Sequence, residues 1–113
     1  MNETRITNII DAGGVDGWDH GNLEVLKKTF EFESFERAND FIQEVGKFCE
    51  TKDHHPQWST SNGGKTVHVE LTSHFANNTV TIFDFEVAQA MNNIFWEVRR
   101  NWMVNYVRKT IGL

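Results

Sequence analysis

Three histidines are the residues best suited to chemistry in this sequence. His54 and His55 are adjacent and stand directly before Pro56, and His74 closes a stretch of alternating polar and apolar residues. Imidazole, with an unperturbed pKa of ~6.5, gives and takes protons near neutral pH. A cluster of such groups at one end of a sheet suits general acid–base catalysis. The plain alternative is a solvated pair on a loop and a histidine at a strand end. Metal binding is a further use, but the spacing argues against it, and no metal is expected. His68 and His74 are too far apart along one strand to share an ion easily, and adjacent histidines in an extended segment point opposite ways. The single cysteine, Cys49, leaves no Cys-x-x-Cys pair for zinc.

Two carboxylates could orient these rings, Glu50 and Asp84, as acidic partners of histidine commonly do. Their structural alternatives are a solvated helix end for Glu50 and a favourable helix N-terminal charge for Asp84. Trp58 and Trp18 suit a core, and an aromatic beside a histidine cluster also suits stacking on a flat heterocycle. The sequence has no glycine-rich phosphate loop and no serine or cysteine nucleophile motif.

The elements that must position these residues follow from periodicity. Residues 2–10 fit a short helix with Ile6, Ile9 and Ile10 on one side, ended by Gly13-Gly14. Gly17 to His20 and Leu23 to Glu31 read as extended, with strand alternation clearest around Thr29 to Glu33. Ser34 is a good N-cap, and Phe35, Ala38, Phe41, Ile42, Val45, Phe48 and Cys49 recur at helical spacing, so a helix is expected over about 34–51. Pro56 cannot continue it. A short strand over Gln57 to Ser61, a turn at Asn62-Gly63-Gly64 and a strand over Lys65 to His74 make a hairpin. Val67, Val69 and Leu71 share one face of that second strand; His68, Glu70, Thr72 and His74 share the other. An antiparallel hairpin brings its open ends together, so His54, His55 and His74 can converge. Thr81-x-x-Asp84 reads as a capping-box variant that starts a long last helix from about 81. Its stripe is Val87, Met91, Ile94, Val98 and Trp102, widened by Phe95. The expected fold is α+β: a four-stranded antiparallel sheet with helices packed on one face, in the order α-β-β-α-β-β-α, as one domain over 1–113.

Composition narrows the function classes. The chain has 113 residues, 39% of them apolar and 12% aromatic, enough for one thin core. A formal charge of -5 makes direct nucleic-acid binding a poor fit. One cysteine excludes an internal disulfide and points to a reducing, cytoplasmic setting, with the nucleus also open. No apolar run approaches the ~20 residues of a membrane span, and the N-terminal residues lack the order of a signal peptide.

The run Glu50-Thr51-Lys52-Asp53-His54-His55-Pro56-Gln57-Trp58 resembles the signature of the pterin-4a-carbinolamine dehydratases: an acidic residue, three spacers, His-His-Pro, and a Trp two residues on. Upstream, Phe30, Phe32, Phe35, Ala38, Phe41 and Val45 match that family's strand-into-helix pattern. Downstream, Val67 to His74 resembles its central strand, and Thr81-x-x-Asp84 followed by Ala88 resembles the start of its last helix. Gly17-Trp18 also fits, so the likeness covers roughly residues 16–95. This sequence departs at Asn62, where the family usually has an aromatic, in a hairpin lengthened by Gly63-Gly64, and in the Asn77-Asn78 loop after His74. It also runs past the family's usual end.

The resemblance implies an α+β fold and dehydration of 4a-hydroxytetrahydrobiopterin to the quinonoid dihydropterin in tetrahydrobiopterin recycling, a hydro-lyase reaction with no metal or organic cofactor. By position it makes His54 and His74 the acid–base pair. It has His55 and Trp58 hold the substrate, with Glu50, Asp84 and Pro56 in support. It implies a homotetramer or homodimer. It also implies an alternative, a non-catalytic relative acting as a protein-binding module, because members of the family serve as a dimerisation cofactor of a hepatocyte nuclear factor or are linked to Rubisco assembly.

Overall fold

The computed structural model describes residues 9, 14–21, 23–52, 54–73, 76–77 and 79–112, without the side chains of 105–107 and 111. Its elements are β1 (Leu26–Glu31), α1 (Phe35–Lys52), β2 (Gln57–Ser61), β3 (Thr66–Leu71) and α2 (Ile82–Ile111). The sheet has three antiparallel strands in the order β1-β3-β2. The fold is α+β, as expected, but among the described residues the sheet has three strands instead of the expected four, and the order α-β-β-α-β-β-α is not found.

The missing strand has a local cause. Gly17, Gly21 and Leu23 all adopt positive φ, a left-handed conformation that breaks an extended run. Asp19 Oδ1 accepts the Gly21 N–H at 2.9 Å, and the Leu23 N–H returns to the His20 carbonyl at 2.9 Å. The segment turns instead of extending, and its pairing shrinks to one isolated bridge, Asp19 with Lys27. The expected helix over residues 2–10 lies, apart from Ile9, outside the described residues.

The register explains the core. Leu26, Lys28 and Phe30 of β1 pair with Leu71, Val69 and Val67 of β3, so these side chains share the face toward the helices. Leu26, Phe30, Val67, Val69 and Leu71 are buried there against Ala38, Phe41, Val45 and Cys49 of α1 and Val87, Ala88 and Met91 of α2. Phe41 stacks on Phe30 and Phe32, with Phe95 closing the cluster. Every residue of β2, by contrast, is exposed. Trp58 and Thr60 pair with Val69 and Val67 and so point toward the helix side, yet the helices cover β1 and β3 and leave this edge open. β3 ends at Leu71 rather than His74, because its partner Leu26 is the first residue of β1. Ser73 makes only an isolated bridge to Thr79.

Helices α1 and α2 run antiparallel. Helix α2 has 30 residues, ~45 Å at 1.5 Å per residue. Its apolar stripe lies against this chain's own α1 and core: Val87, Met91 and Val98 are buried, and Ile94 and Phe95 partly so. Near the start of α1, the buried Arg37 guanidinium stacks 3.0 Å from the Trp102 ring centroid and pairs with Glu33 at 3.4 Å.

Candidate functional site

The end of α1 and the start of α2 meet at one point, and the sequence places a histidine and an aspartate there. Pro56 stops α1 from continuing, so the chain leaves the helix after Lys52. His54 then donates its backbone N–H to the Cys49 carbonyl at 3.3 Å, one of the carbonyls a helix end leaves unsatisfied. Its ring reaches the first turn of α2 at Asp84. Asp84 is the third residue of α2, and its carboxylate accepts the backbone N–H of the N-cap Thr81 at 2.8 Å.

The resulting pair is short and enclosed. His54 Nε2 lies 2.6 Å from Asp84 Oδ1. The Asp84 side chain is fully buried and that of His54 is 12% exposed. The other carboxylate oxygen, Oδ2, accepts the Ser73 hydroxyl at 2.8 Å, and Ser73 Oγ lies 2.7 Å from Thr81 Oγ1. A carboxylate without a neighbouring lysine or arginine is costly to bury, and these donors replace the water it has lost. The pair thus sits where the C-terminal end of α1 meets the first turn of α2.

The other expected site residues are placed differently. His55 is exposed, and Pro56 is half-buried beside it. Trp58 is 36% exposed on the open edge strand β2, one position past Gln57. Glu50 is exposed on the last turns of α1. His74 lies outside the described residues. Among the described residues no group of three or more His, Cys, Asp or Glu side chains is arranged to hold a metal ion. Cys49, next to the site in sequence, is no nucleophile: burial pushes its thiol up to about 11, so it stays protonated.

Among the described residues, two cavities lie elsewhere, and no described histidine lines either. One of ~250 Å³ lies between α1 and α2 beside Asp40, Glu44 and Trp102. The other, ~390 Å³, is bordered by Val15, Ile82 and Phe85. Sequence reasoning did not find Ser73. A serine in a strand carries no signal of its own; only its position opposite Thr81-x-x-Asp84 in three dimensions reveals its part.

The chain has relatives among known proteins. The family described as pterin 4 alpha carbinolamine dehydratase matches residues 1–94. A protein of Bradyrhizobium sp. (strain ORS 278), named "Putative pterin-4-alpha-carbinolamine dehydratase", is 38% identical over 92 residues, 81% of this chain and 87% of its own. One of the same name from Bordetella avium (strain 197N) is 38% identical over 89 residues, 78% of this chain and 80% of its own. Among solved structures, a crystal structure titled transcriptional coactivator/pterin dehydratase from Brucella melitensis is similar with a TM-score of 0.69 and 30% identity, covering 83% of this chain and 96% of that one.

Proposed function

We propose that this chain, which belongs to the pterin 4 alpha carbinolamine dehydratase family, dehydrates 4a-hydroxytetrahydrobiopterin to the quinonoid dihydropterin by histidine acid–base catalysis. The observation that carries the reading is the buried Asp84 carboxylate 2.6 Å from His54 Nε2, a carboxylate-oriented imidazole within the segment the family matches. Elimination breaks the C4a–O bond, with the hydroxyl leaving as water, and turns the N5–H electron pair into the C4a=N5 bond. One group must give a proton to the leaving oxygen and another must take the proton from N5. We assign these two tasks to His54 and His74. In this reading His55 and the open face of Trp58 hold the flat ring, while Glu50 and Pro56 support the loop that carries the histidines. Asp84 holds His54.

The test is a dehydration assay on the purified protein with the single variants His54→Ala, His74→Ala and His55→Ala. The first two should lose turnover; the third should raise KM more than it lowers kcat, because a group that only holds substrate contributes uniform binding. Wild-type turnover in His74→Ala would sink the assignment.

The same proposal includes a homotetramer or homodimer. The apolar stripe of α2 does not require it, being covered by α1, so the surface for self-association must be sought among exposed residues. Trp96 and Met103, 58% and 56% exposed, lie one helical heptad apart on the outer side of α2. Light scattering should show an assembly that Trp96→Glu weakens; a wild-type monomer at micromolar concentration refutes it.

A further inference from the structure

The two oxygens of Asp84 are held in different ways. Oδ2 accepts the Thr81 backbone N–H and the Ser73 hydroxyl, each at 2.8 Å. An amide N–H is a donor only, and a hydroxyl has one proton. Ser73 donates that proton to Asp84, and the Thr81 hydroxyl, 2.7 Å from Ser73 Oγ and 3.5 Å from Asp84 Oδ2, has its proton to give to one of these two acceptors. In either case the protons of this group run toward Asp84. Oδ1 faces His54 Nε2 at 2.6 Å, and this is the one direction left for it. A carboxylate held this way is an acceptor on both oxygens. The nitrogen that meets it must carry a hydrogen, and in a neutral imidazole that leaves Nδ1 as the acceptor. Among the described residues His54 Nδ1 has no hydrogen-bond partner.

We infer that Ser73 is a positioning residue, and that through Asp84 it fixes neutral His54 as the Nε2–H tautomer, so that His54 Nδ1 is the base of the elimination. The inference rests on the dehydratase reading above. His54 Nδ1 takes the proton from N5, the N5–H electron pair becomes the C4a=N5 bond, and the C4a–O pair leaves with the oxygen. The proton that completes the departing water comes from the other histidine, and the proton gained by His54 returns to solvent. Ser73 touches no reacting atom. Its effect is to keep the Asp84 carboxylate from rotating or turning its acceptor away from Nε2, and a misplaced base is expensive in rate.

The experiment combines nitrogen NMR of histidine-labelled full-length protein with steady-state kinetics of the wild type, Ser73→Ala and Ser73→Thr. At a pH where the ring is neutral, wild-type His54 should show its hydrogen on Nε2. Ser73→Ala should show a mixture of tautomers and a kcat reduced by ~10–100-fold with KM little changed. Ser73→Thr, which keeps the hydroxyl, should restore both readouts. A hydrogen on Nδ1 in the wild type overturns the inference, as does a Ser73→Ala protein with unchanged tautomer and kcat. Should Ser73→Ala fail to fold, Ser73→Cys, whose thiol is only a weak donor, takes its place with the same two readouts and the same expected and overturning results. A wild type with the Nε2–H tautomer but no dehydration removes the dehydratase reading and, with it, the role of Nδ1 as base, while the Ser73–Asp84–His54 lock stands.

Discussion

Two polar clusters are anchored about two turns apart on helix α2, at Asp84 and at Asn92, and they are built differently. In the first, Asp84 is held by Ser73 and Thr81 and ends in the ring of His54. In the second, Asn92 Oδ1 accepts the Trp18 indole N–H at 3.0 Å and the Lys28 ammonium at 2.9 Å. Asn92 Nδ2 and Lys28 Nζ in turn reach the Asp16 carbonyl at 3.0 and 3.1 Å. This cluster closes on itself: the acceptor of Asn92 is used twice, and the chain of bonds ends in backbone. The first cluster ends in a group that can change its protonation state and has a second ring nitrogen to offer. A buried network that closes specifies a fold; one that ends in a titratable group with spare capacity offers chemistry.

The largest effects should separate the clusters by what is lost. His54→Ala and Asp84→Asn should lower kcat/KM by ~10²–10⁴-fold, the span of a positioned proton-transfer group. They should leave the fold measurable by circular dichroism. Full activity in His54→Ala would remove the distinction between the clusters.

Asn92→Leu should do the reverse. It leaves the buried Trp18 N–H without its acceptor and takes one of two acceptors from the Lys28 ammonium, which keeps the Asp16 carbonyl, at ~1–3 kcal/mol of stability. Turnover per folded molecule should not change. Urea denaturation and the dehydration assay decide together, and a selective loss of kcat at unchanged stability would mean that the closed cluster also serves the site. Gly17→Ala should be milder, about 1 kcal/mol or more, because Gly17 sits at φ 78° and a Cβ there would lie 2.7 Å from Lys28 Nζ, which its hydrogen bonds hold in place.

The two clusters were unequally legible. His54 and Asp84 could be picked out because histidine and a carboxylate at a helix start are chemically distinctive. Lys28 and Asn92 could not: a lysine within a strand and an asparagine within a helix read as solvent-facing, and only the register that sets Lys28 beside Leu26 and Phe30 turns it inward. The same contrast holds for the fold. Helix α1 was readable because Ala38, Phe41, Val45 and Cys49 all bury at helical spacing. The turn at Leu23 was not, since nothing about leucine announces a φ of 68°. Ser73 was missed because hydrogen-bond direction depends on what stands opposite in space, which spacing along the chain does not encode.

The smallest expected effect is in alkaline pH, where Lys28 reports whether the closed cluster is truly shut off from solvent. Burial pushes the Lys28 amine below its ordinary 10.5, with attraction to Asp16 offsetting part of the shift. Above that lowered value the folded chain holds fewer protons than the unfolded one, so Lys28 makes stability rise with pH until the ordinary lysine value is reached. Cys49 acts in the opposite sense. Its thiol is pushed from 9.0 to about 11 by burial, so between those values the unfolded chain loses a proton that the folded chain keeps, and stability falls as pH rises. In the wild type these two contributions oppose each other. Lys28→Met should remove the rising part and leave a steeper fall, and Cys49→Ala should remove the fall and expose the rise. Urea midpoints measured from about pH 8 to about pH 10.5 for the three proteins give both slopes. A Lys28→Met protein with the slope of the wild type would mean that water reaches the ammonium freely, and the closed cluster would then be open after all.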